Sequence, residues 1–226
     1  MGFSDELRAA CAPIWDGLHA HPFLREIAEG TLPLEKFRFF LEQDNFYLED
    51  YARCLALGAA RSQNLAALRS FSHDLIALVD AELPSNRALL AQVVELGAAD
   101  HGGNRRPAPA TLAYTSYLLS VASRGDVLDV MASVLPCSWS YVEIAGRLRE
   151  EVRAPSGSVY RGWIDFFALP ANAEVVAAIR GSFDELAADA DAQRRRSLTT
   201  IFATSSRLEA NFWEMAYTMA QAPSLA

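Results

Sequence analysis

The chain has 226 residues, 51% hydrophobic and 21% charged, with only 12 Gly and 10 Pro, which excludes disordered, collagen-like and low-complexity chains. Its 28 acidic residues against 20 basic ones leave a formal charge of −8, the wrong sign for a phosphate-backbone binder, so no nucleic-acid partner is expected. No stretch reads as the roughly 20 apolar residues of a bilayer span, and the N-terminus has no basic start followed by an apolar run, so a cytoplasmic protein without membrane contact is expected. Cys11, Cys54 and Cys137 are an odd number at wide spacing without a C-x-x-C pair, and reduced thiols follow.

Helical periodicity dominates in chain order. Leu7, Cys11, Ile14, Trp15 and Leu18 mark a first amphipathic stripe, and a short helix starts at Pro22 and stops at Gly30. Pro33 to about Arg61 carries Phe37, Phe40, Leu41, Tyr47, Leu48, Tyr51 and Leu55 on one face. Asn64 caps the next helix, with a break expected at Pro84 and a new cap at Ser85, and Gly97 ends that helix. Asp100 to Pro109 is the clearest loop. Beyond it come a helix carrying Tyr114, Tyr117, Leu118 and Val121, and a long helix from Val127 to about Val152 with Pro136 inside it as a local kink. Tyr160–Phe167, Ala171–Ala188 and about Asp191 to Ala220 complete the pattern. No alternating strand is found, so the expectation is an all-α helical bundle forming a single domain over residues 1–226.

Polar residues on apolar stripes are the candidates for function. Asp44 follows Phe40 by four residues and precedes Tyr47 by three, so a core-facing stripe takes a carboxylate inward. By itself Asp44 stays open between a hydrogen-bonded structural acid and a ligand-binding one. Glu209 repeats the pattern among Leu198, Ile201, Phe202, Phe212 and Trp213. Glu82 touches a stripe too, but one turn from the expected break at Pro84 it reads as an acid that reaches water. Cys11 and Cys54 read as core thiols, whereas Cys137 follows Pro136 beside Trp139 and Tyr141, where a nucleophile is worth considering. A pocket of tyrosines and carboxylates suits a flat, nitrogen-rich ring. Gly-rich phosphate loops, H-E-x-x-H, G-x-S-x-G and Glu-x-x-His pairs are missing, so no metal is expected; spacing alone leaves haem ligation by His19 or His21 open.

Several motifs occur in one order: His21-Pro22-Phe23, Gly30-Thr31-Leu32-Pro33, Phe37 with Gln43-Asp44 and Tyr47, Leu135-Pro136-Cys137-Ser138-Trp139-Ser140-Tyr141, Trp163-Ile164, and Leu208-Glu209 with Phe212-Trp213. From about residue 3 to 217 the chain resembles the TenA, or thiaminase II, family. The resemblance implies a haem-oxygenase-like all-α fold without haem or other cofactor, a homotetramer, and hydrolysis of thiamin or thiamin-related aminopyrimidines in thiamin salvage. It places the nucleophile on Cys137, the pyrimidine-binding aspartate on Asp44, the general acid on Glu209, and pocket tyrosines on Tyr47, Tyr114 and Tyr141. Phe167 stands where the family commonly has a tyrosine, which bears on substrate preference and rate. The competing expectations are a non-catalytic pyrimidine-binding or regulatory protein on the same fold, and a redox relative that needs a metal or cofactor.

Overall fold

A computed structural model describes residues 2–221. Its helices are α1 (Phe3–Ala10), α2 (Ala12–His19), α3 (Pro22–Glu29), α4 (Leu34–Arg61), α5 (Leu65–Ala77), α6 (Leu83–Glu95), α7 (Pro109–Arg124), α8 (Val127–Glu151), α9 (Val159–Phe167), α10 (Pro170–Leu186) and α11 (Ala192–Thr218). A π-helical segment, Leu78–Glu82, joins α5 to α6, and no strand occurs among the described residues.

The helix ends follow capping chemistry. Asn64 Oδ1 accepts from the Ala67 N–H at 2.8 Å, and Asp126 and Asp129 exchange side-chain and backbone bonds in a capping box. Gly30 closes α3 at φ 75°, a left-handed conformation that costs glycine no Cβ clash. Two expectations are corrected. The first stripe is two helices, because Pro13 restarts the helix after Cys11. No break occurs at Pro84, and Ser85 caps nothing: Pro84 lies in the first turn after the wider π segment, where the chain continues helical without its N–H.

Four helices form the centre. Each of α4, α7, α8 and α11 packs against the other three. α5, the π segment and α6 lie along α4, while α9 and α10 lie along α8. α8 is long and apolar enough by composition to cross a membrane, which the sequence reading did not anticipate, but its Val130, Leu135 and Ile144 are buried in the bundle. It also continues unbroken through Pro136, which has no N–H to donate. Neighbouring carbonyls are met from other helices: Ser205 on α11 donates to Ser133 O, and the Tyr51 hydroxyl on α4 donates to Val134 O at 3.3 Å.

Gln43, fully buried on α4, ties the long loop to the core. Its amide nitrogen donates to Gly103 O and Arg106 O, and its Oε1 accepts from the Ala108 N–H and the Thr111 hydroxyl, both at 2.7 Å. Gly103 allows this approach, since a Cβ there would stand 2.6 Å from Phe39 and from Glu42. The same bonds fix the start of α7 and hence the height of Tyr114. Gln43→Leu should strip several buried groups of their partners and cost about 3 kcal/mol, on the order of 6–12 °C in Tm by calorimetry.

Candidate active site

The junction of the four central helices collects the expected residues. α4 supplies Asp44 and Tyr47, α7 supplies Tyr114, α8 supplies Cys137 and Tyr141, and α11 supplies Glu209, all of them buried. Helical spacing puts each on the inner face of its helix, so packing the four apolar stripes brings their polar exceptions into one layer. Phe167, at the end of α9, lies 4.9 Å from Tyr141 and 5.1 Å from Trp163 between ring centroids.

Glu209 Oε2 accepts from the Tyr114 hydroxyl at 3.1 Å, and Ser205 Oγ, whose proton goes to Ser133 O, lies 3.3 Å behind Tyr114 Oη. Tyr47 packs on Tyr114 at 4.9 Å and on Tyr51 at 5.6 Å. Three buried polar atoms here make no hydrogen bond of good geometry, Glu209 Oε1, Tyr47 Oη and Trp213 Nε1, although the Trp213 indole faces Glu209 and the Tyr47 hydroxyl faces Cys137 closely enough to act on them. Asp44, 4% exposed, makes no hydrogen bond or ion pair among the described residues. A protein interior leaves few polar atoms unmet, and a cluster of them at one place is room for a ligand's donors and acceptors.

Electrostatics follow burial. Loss of solvent pushes Glu209 up to about 7, opposed by the Tyr114 hydroxyl and the Trp213 indole. Burial first, then the charges of Glu82 and Glu209, lift Asp44 well above the carboxylate range. Burial and the same two glutamates push the Cys137 thiol up, while the Tyr47 hydroxyl pulls the other way, so the unliganded site holds a thiol. The fields of all three acids reach Cys137, which places Glu82 within the same electrostatic unit.

A cavity of about 130 Å³ opens beside this layer. Of the expected residues it touches Cys137, Tyr141 and Phe167; Asp44, Tyr47, Tyr114 and Glu209 lie in the packed layer and do not line it. An apolar cavity of about 150 Å³ holds a benzene ring, so this space suits one ring or one substituent and not two rings. Glu82 and Asp74 also line it; Glu82 is partly exposed, as expected of an acid that reaches water, and faces the cavity as well. Burial raises Glu82 to about 7 and Asp74 to about 6. Ser205 and Trp213, stripe residues in the sequence, flank the Tyr114–Glu209 pair. Cys11 and Cys54 are core thiols as expected, and Arg194, in the run Arg194–Arg196, bridges Asp126 and Asp129. Among the described residues no group of three His, Cys, Asp or Glu side chains is placed to hold a metal. His19 and His21 lie against Glu143 and Glu214 respectively.

The sequence pattern of the TENA/THI-4/PQQC family matches residues 8–219. A protein named aminopyrimidine aminohydrolase from Halalkalibacterium halodurans is 40% identical over 218 residues, 96% of either chain. Among solved structures, a TenA homologue from P. horikoshii OT3 superposes with a TM-score of 0.84 at 29% identity, covering 96% of this chain and 99% of its own. Haem oxygenase from Leptospira interrogans superposes with a TM-score of 0.68 at 16% identity over 94% of this chain and 98% of its own, a likeness of fold that bears out the haem-oxygenase-like bundle.

Because the folded Glu209 keeps its proton to about pH 7 while an unfolded glutamate loses it near 4.5, its contribution to stability is full below 4.5 and lost as pH rises through 7. Asp74 and Glu82 act with the same sign. The parent's Tm should therefore fall between pH 5 and pH 8, and Glu209→Gln, which cannot ionise, should show a shallower fall in scanning calorimetry.

Proposed function

Because the chain belongs to the TENA/THI-4/PQQC family, we propose that it hydrolyses the bond between the exocyclic methylene of a thiamin-related aminopyrimidine and its amine or thiazole substituent, giving hydroxymethylpyrimidine for thiamin salvage. The observation that carries the reading is the convergence of Asp44, Cys137 and Glu209 from three helices into one buried layer with unmet polar atoms. A pyrimidine's amidine edge pairs a ring-nitrogen acceptor with an amino donor, which is the complement of a protonated carboxyl, so Asp44 with its raised pKa donates to the ring nitrogen and accepts from the amino group.

Cys137 then adds across a ring C=N bond, sulfur to carbon and its proton to a ring nitrogen, and the ring loses its aromatic resistance to losing the substituent. Glu209, protonated up to about pH 7, gives its proton to the departing amine and takes one back from the water that attacks the methylene. Elimination of the Cys137 sulfur, with return of its proton, restores the aromatic ring. Tyr114 holds Glu209 through the 3.1 Å hydrogen bond, itself positioned by Ser205. The family resemblance also supports a cytoplasmic homotetramer, and exposed Leu65, Ile76 and Leu169 are apolar surface that neighbouring copies can cover.

The deciding experiment measures ammonia release and ligand affinity in parallel. Cys137→Ala removes little volume, so it should bind the pyrimidine near the parental affinity while turnover falls on the order of 10² or more, about 2.7 kcal/mol of transition-state stabilisation. Asp44→Asn should weaken both, because its partner is the ring edge in ground and transition states alike. A parent that binds the pyrimidine but releases no ammonia, or a Cys137→Ala variant with parental turnover, overturns the reading. Because the general acid is spent as Glu209 ionises, kcat should decline above about pH 7. Phe167→Tyr, which restores the family's hydroxyl beside the cavity, should raise turnover with little change in Tm.

A further inference from the structure

The wall of the cavity opposite α8 is acidic, and no basic side chain lines the cavity anywhere. Asp74, Leu78 and Glu82 recur at every fourth residue along α5 and the π segment, and all three line the cavity with Ala77 and Ala81. In a regular helix a repeat of four drifts around the axis, since a turn holds 3.6 residues; the wider π turn keeps Glu82 on the cavity face. Asn86, one turn beyond, donates to the Leu41 carbonyl at 3.0 Å and pins this register to α4.

Two further observations mark the space as built for a ligand. The Tyr141 hydroxyl belongs to a side chain only 5% exposed, lines the cavity beside Cys137, and has no hydrogen-bond partner among the described residues. Glu82 has no hydrogen bond or ion pair either, while Asp74, nearer the surface, has its oxygen 3.7 Å from the exposed His73. An acid largely withdrawn from solvent with no counter-charge is costly to ionise unless a cation arrives.

We propose that Glu82, backed by Asp74, forms a cation subsite for the substituent on the pyrimidine's exocyclic methylene, so that this protein selects positively charged substituents over neutral or anionic ones. The inference rests on the aminopyrimidine reading above and deepens it. The cavity accommodates a group no larger than one ring, it is bounded by Cys137 and Tyr141 on one side, and its only formal charges are those of Glu82 and Asp74. Glu82 favours positive charge on the amine when substrate enters and holds it in the protonated form that departs as ammonia. Burial that lifts Glu82 to about 7 keeps it partly protonated in the empty site, and an arriving cation draws it into its ionised form.

Calorimetry with two ligands tests this: an aminopyrimidine bearing an aminomethyl group, and its neutral hydroxymethyl counterpart with the same ring. Glu82→Gln should weaken the amine by about tenfold, as expected for one charge-assisted hydrogen bond, and change the alcohol by less than about twofold. Glu82→Asp should recover part of the difference. Equal loss for both ligands marks a structural residue and overturns the proposal, as does no loss for either. Should Glu82→Gln lose its helical spectrum, Asp74→Asn gives the same comparison with Glu82 in place: an amine-selective loss of about threefold supports the subsite, and no selective loss overturns it. Should the parent bind both ligands yet release no ammonia, the hydrolytic reading fails while the ratio of affinities still decides the role of Glu82.

Discussion

Packing four apolar stripes together buries Asp44, Cys137 and Glu209 in the same step, and their shared loss of solvent governs the chemistry of the site. Each of these groups alone can stay neutral at modest cost, but ionising one raises the cost of ionising the next, as the upward pushes of Glu209 on Asp44 and of Glu209 and Asp44 on Cys137 record. The Ser205–Tyr114–Glu209 chain satisfies one carboxyl oxygen and stops there. Glu209 Oε1, Tyr47 Oη and Trp213 Nε1 are left with contacts too poorly aligned to count as hydrogen bonds, and an interior polar atom without a good bond costs up to about 1–3 kcal/mol. The fold carries that strain because the rest of the interior is well packed aromatic surface: Phe40 on Trp213 at 5.1 Å and Trp15 on Phe202 at 6.0 Å lie on either side of it.

Legibility in the sequence tracked how each residue departs from its own helix. Asp44 and Glu209 interrupt stripes of regular 3.6 period, so their inward orientation was readable and the structure places both in the core. Cys137 interrupts nothing, because a thiol is an ordinary core residue, and only the motif around Pro136 singled it out. Gln43 was recognised as part of a motif, but its work was hidden: its partners are backbone groups of the loop after α6, and backbone carries no sequence signal. The place of Glu82 on the cavity wall was hidden for a different reason. Pro84 looks like a stop, and a π turn changes the period just where the inward face has to be followed. The two-helix start, with Pro13 dividing one stripe, is the same error in reverse, since the period continues while the backbone does not.

The site also explains why its acids have no basic neighbours. An arginine beside Asp44 would hold the carboxylate ionised in the empty protein, remove its raised pKa and stabilise the fold. It would also fill the position of the ligand's amidine edge and offer donors only, where the amino group needs an acceptor and the ring nitrogen a donor. Leaving Asp44 without a partner makes the substrate the missing partner, so the free energy withheld in folding is released on binding. The same logic reaches Cys137. A permanently ionised cysteine requires a nearby cation, and that cation would sit among the carboxylates that have to exchange protons with the substrate. With none present, the thiol stays protonated until a ring whose nitrogen can receive its proton is in place. Reactivity is then conditional on the ligand, and the buried layer protects a nucleophile that exposed solvent would leave open to oxidation.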